Sequence, residues 1–169
     1  MYIFLFSVCF SIFNMVLSLV SQLFIPCFGY AEQMDFYGFT GGAFRHTMNL
    51  ASAAWVLYSS AHDLVSSRAI CIGPATNNIA KYEAVTGILT EAISRDIRNL
   101  VVFMDSQLVV CHLNQVYTIR NPELLHLYRR VRLLERSFKL ITYRHVPRVD
   151  NVVADSLENY ILDWYIAHS

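Results

Sequence analysis

Apolar residues recur at helical spacing after residue 76. Val85, Ile88, Leu89 and Ala92 fall on one face of a helix over 76–95. Thr76, Asn77 and Asn78 precede the stripe and suit a helix N-terminus, where side-chain oxygens accept from unpaired backbone N–H groups. Lys81 lies within about 40° of Val85, Ile88 and Ala92 at 100° per residue, so it shares the buried face. Other stretches have strand character. "MDFYGFTGG" reads as a strand running into a glycine turn, "SAAWVLYSS" as a second strand and "SRAICIG" as a third. "NLVVFMD" is a continuous apolar run that suits a central strand buried on both faces. "SQLVVCHLNQVY" predicts a short helix, and "NPELLHLYRRVRLLERSF" a longer one with Pro122 in its first turn. "LITYRHV" is a fifth strand. "DNVVADSLENYILDWYIAH" predicts a last helix with Val153, Leu157, Tyr160, Ile161 and Trp164 on one face.

Three strands, then helix, strand, helices, strand and helix predict an α/β fold with a mixed five-stranded sheet flanked by helices. Three antiparallel strands come first and parallel ones are added. Two parts are expected, an apolar segment 1–31 and a domain over 32–169. The 169-residue chain is 55% hydrophobic, and much of the excess over an ordinary soluble domain sits in residues 1–30, which carry no charge. The segment is long enough for a bilayer, though Ser, Asn and Gln interrupt it. It also fits a secretory signal with small residues around Gly29–Ala31, or a wrongly joined reading frame. No Lys or Arg precedes it, and no basic cluster flanks it to set an orientation.

Net charge is zero, but its distribution is uneven. Eight Lys/Arg from Arg120 to Arg148, among them Arg129, Arg130, Arg132, Arg136 and Arg148, face Glu123, Glu135 and Asp150. This suits a polyanionic partner; a solvated helix face is the plainer reading. The four cysteines form no CxxC pair and no Cys/His metal spacing. Asp105 closes the fourth strand, at the strand end where open α/β sheets bind ligands; it also suits a cap for the helix starting near Ser106, and the two roles are compatible. Asp155 and His145 are unremarkable alone.

In combination, "TNNIAKYEAV", "VVFMDSQLVV" and "ITYRHVPRVDNVVADSLEN" resemble the type 1 ribonuclease H family in its plant-retroelement version. The resemblance runs from about Met34 to Trp164. It implies hydrolysis of the RNA strand of an RNA–DNA hybrid by water, with two Mg²⁺ ions held by four acids and a histidine assisting proton transfer. On the motifs, Asp105 matches the third acid, Asp155 the fourth, His145 the histidine and Asn151 the motif asparagine. Lys81 stands at the second acid. Thr40 of "FTGG", or Tyr37 if "FYGF" is aligned instead, stands at the first. Glu83 is about 200° round the helix from Lys81 and is no substitute. Asp35 is roughly 16 Å along a strand from Thr40.

The resemblance therefore implies a nucleic-acid-binding domain whose Mg²⁺ site, reduced to Asp105 and Asp155, is weakened and whose hydrolysis is impaired. Lys81 is expected to pair with Asp105. Alternatives are an active nuclease, a non-catalytic binding module, a decayed retroelement remnant and a membrane-anchored scaffold. A monomer without a small-molecule cofactor is expected. Residues 1–31 point to a membrane or secretory route, the family to an intracellular one.

Overall fold

A computed structural model of the chain describes residues 36–168; the apolar segment 1–31 and Asp35 lie outside them. Strand β1 (Phe36–Arg45) is followed by β2 (Leu50–Ser59) and β3 (Leu64–Gly73). Helix α1 (Asn77–Ser94), strand β4 (Asn99–Met104), helices α2 (Gln107–Leu113) and α3 (Pro122–Glu135), strand β5 (Leu140–His145) and helix α4 (Val152–His168) complete the order. The sheet runs β3-β2-β1-β4-β5. β1, β2 and β3 pair antiparallel, while β4 joins β1, and β5 joins β4, in parallel. This is the mixed α/β sheet expected. No helix among the described residues is long and apolar enough to cross a membrane.

The local signals explain the helix starts. Thr76 accepts from the Ile79 backbone N–H, Ser106 from that of Val109, and Asn121 from those of Glu123 and Leu124 ahead of Pro122. Val85, Ile88, Leu89 and Ala92 are fully buried, as their spacing predicts, against Leu57, Leu100, Val102 and Met104 from the sheet. Val131 of α3 closes this core from beyond α1.

Two expectations are corrected. Gly41 and Gly42 lie inside β1, not in a turn. A Cβ on Gly42 would stand 2.6 Å from the Lys81 backbone nitrogen, and one on Gly41 2.2 Å from Glu158 Oε2. Side chains alternate across a strand, so the two glycines admit α1 on one face and α4 on the other. The second correction concerns α4, whose buried residues are Ala154, Glu158 and Leu162. Tyr160 and Trp164, expected on the inner face, are exposed. The apolar stripe is displaced because a carboxylate, Glu158, occupies the centre of the packed face.

Candidate functional site

Backbone register assembles the site at the carboxyl end of the parallel strands. Thr40 pairs with Met104 across β1 and β4, and Met104 pairs with His145 across β4 and β5. Asp105 follows Met104 directly. Tyr37 pairs with Val101, three residues earlier, so Thr40 is the β1 residue at this end. Thr40 is buried and shares a strand face with Gly38 and Gly42, both of which touch α1.

Helix α1 delivers Lys81. Its Nζ donates to Asp105 Oδ1 at 3.1 Å, with the two side chains only 15% and 10% exposed. The pairing expected from sequence is present. Asp105 is free for it because Ser106, not Asp105, caps α2. Glu83 turns the other way, toward Arg130 of α3 at 3.5 Å.

Helix α4 delivers Asp155. Arg148 grips it, with Nε donating to Oδ1 at 2.7 Å and a second contact from its other nitrogen. That contact holds the Arg148 guanidinium more firmly protonated than an isolated one. Asn151 is buried just before α4, and its Nδ2 donates to the Thr40 carbonyl at 2.9 Å. The motif asparagine thereby pins the start of α4 to the site end of β1.

Glu158 was not singled out by the sequence. It is 2% exposed, and its Oε2 has no hydrogen-bond partner among the described residues. Burial, then the charges of Asp105 and Asp155, push its carboxyl up to about 8, so it is mostly neutral at pH 7. The available signal was spacing, since Glu158 is one turn past Ala154 and Asp155 on the packed side of the helix. Gly42, Lys81, Asp105, Arg148 and Glu158 line a cleft of about 260 Å³.

Of the arginines expected to meet a polyanion, Arg148 lines the cleft, and the other four sit elsewhere, on or just past α3. Arg130 is drawn to Glu83, and Arg132 pairs with Glu135 at 2.6 Å. Arg129 and Arg136 form no ion pair among the described residues.

A pair of divalent ions needs several converging oxygen ligands. Among the described residues no group of three or more His, Cys, Asp or Glu could hold a metal ion. Asp105 and Asp155 are each engaged by a cation, and Thr40 and Lys81 supply no carboxylate. These residues do not fit a two-metal site.

A family described as reverse transcriptase-like matches residues 39–160. A bifunctional protein of Mycobacterium tuberculosis is 33% identical over 123 residues, which is 72% of this chain but 34% of that protein, so the chain spans about a third of its length. The crystal structure of ribonuclease H1 from the archaeon Halobacterium salinarum has a TM-score of 0.73 at 34% identity, covering 76% of this chain and 97% of that one. The ribonuclease H1 called LC11, solved in complex with an RNA/DNA hybrid, has a TM-score of 0.73 at 25% identity, covering 78% of this chain and 99% of that one.

Proposed function

This chain belongs to the ribonuclease H type 1 family, and from that premise we propose that it binds RNA–DNA hybrids but hydrolyses them poorly or not at all. The observation that carries the reading is the Lys81 ammonium, 3.1 Å from Asp105 in a site that also has Thr40 in place of an acid. Hydrolysis of this type depends on divalent metal. A fixed ammonium beside a retained acid repels a dication and takes up the oxygen it needs. Of the motif residues, Asp105 and Asp155 remain as acids, His145 stands at the adjacent strand end, and Asn151 keeps its structural task. Hybrid binding is supported by the relative solved with an RNA/DNA hybrid and by Arg129 and Arg136, which have no ion-pair partner among the described residues.

The test is cleavage of a labelled hybrid by the purified chain with Mg²⁺ or Mn²⁺, beside the double variant Thr40→Asp, Lys81→Glu. The unmodified chain is expected to leave the hybrid intact, and the variant to gain activity of at least about 100-fold over background, as expected when a metal site is restored. Ready cleavage by the unmodified chain would overturn the reading.

A further inference from the structure

We infer that Lys81 and Arg148 act as built-in counter-charges, so that the cleft takes a backbone phosphodiester directly, with no divalent ion. The inference rests on the proposed hybrid binding and concerns what the same site requires to achieve it. A phosphodiester is an anion, and a cleft of bare carboxylates repels it unless cations intervene. Here each retained acid has a cation of the protein's own against it. Lys81 Nζ is 3.1 Å from Asp105, and Arg148 donates to Asp155 at 2.7 Å. Both cations line the cleft. Glu158, the third acid present, is buried and mostly neutral, so it adds little repulsion. The disagreement between these residues and a metal pair is therefore directional, because the positive charge is supplied by side chains.

The two cations differ in character. Lys81 is nearly enclosed and reaches the cleft from the wall shared with β1. Arg148 is well exposed and holds one oxygen of its acid, Oδ1, with two nitrogens, leaving other guanidinium donors toward solvent. An ammonium with three donors can hold Asp105 and still donate to a phosphate oxygen. The ligand class is a nucleic-acid phosphodiester, recognised by charge and not by base.

The experiment is fluorescence-anisotropy titration of a labelled hybrid with the full chain. One buffer contains millimolar Mg²⁺ and the other excess EDTA, at matched ionic strength. The unmodified chain is expected to bind equally in both, within about twofold. Lys81→Glu is expected to bind about tenfold more weakly in EDTA and to recover in Mg²⁺. Lys81→Gln keeps the size of the side chain and serves if the glutamate variant fails to fold. It is expected to bind several-fold more weakly than the unmodified chain, and equally in the two buffers. Tenfold loss of binding by the unmodified chain in EDTA would overturn the inference while leaving hybrid binding intact. Unchanged affinity of Lys81→Gln in EDTA would also overturn it. Absence of saturable binding in either buffer would instead overturn the functional reading beneath it.

Discussion

At the scale of single residues, two adjacent glycines mark the closest packing in the site. A Cβ on Gly42 would meet backbone atoms of Ala80 and Lys81 at 2.6–2.7 Å, which cannot move without shifting α1. One on Gly41 would meet first the far end of the Glu158 side chain, which can swing. Gly42→Ala should cost about 3 kcal/mol, at the upper end of overpacking, and Gly41→Ala about 1 kcal/mol. Urea unfolding midpoints check the order, and equal losses would count against this packing. Glu158 itself predicts a pH dependence. Its carboxyl rises from 4.5 to about 8 on folding, so between those values the folded chain holds a proton that the unfolded chain has released. Stability should fall as pH rises through this window, by on the order of a few kcal/mol, and level off above it. Glu158→Gln should flatten that slope and stabilise the chain at pH 8. Parallel profiles for the two proteins, from urea unfolding at several pH values, would show that Glu158 is ionised in the fold.

At the scale of elements, α3 divides its arginines into two kinds. Arg130 and Arg132 already face Glu83 and Glu135, whereas Arg129 and Arg136 have no acid against them among the described residues. Replacing Arg129 or Arg136 by Ala should each reduce the salt slope of hybrid binding by about 1, if each meets one phosphate. Replacing Arg130 or Arg132 should change it less. An unchanged slope in all four would leave them as a solvated face. The sequence showed eight cations but not this division, because their partners come from other turns and another helix. Helix α1 was legible almost entirely, since its cap, stripe and inward lysine all follow from local spacing. Helix α4 was legible in extent but not in facing. Hydropathy alone placed Tyr160 and Trp164 inside, whereas the buried place belongs to Glu158, whose neutrality is a product of the tertiary environment. The β1 glycines were misread for a related reason. Locally they signal a turn, and only the approach of two helices from opposite faces keeps them in a strand.

At the scale of the whole molecule, element order was enough to predict a mixed sheet, and three spaced motifs were enough to predict the family. The core that holds Thr40 and Lys81 in place is apolar. Thr40 and Lys81 belong to elements fixed by Leu57, Val85, Ile88, Leu100 and Val102, none of which depends on carboxylates at the site. The fold can therefore outlast its chemistry, and site residues must be judged separately from it. The contacts that close the site also join residues far apart in sequence. Asn151 reaches Thr40 across 111 positions, and Ser52 donates to the Glu158 carbonyl across 106. During synthesis β1 leaves the ribosome many seconds before α4, at about 5–20 residues per second. For that interval one face of β1 and β2 has no helix to cover it, and Gly41 has no Glu158 above it. The cleft is thus completed only when α4 arrives, and until then the nascent chain is open to unwanted partners along the strand that will later floor it.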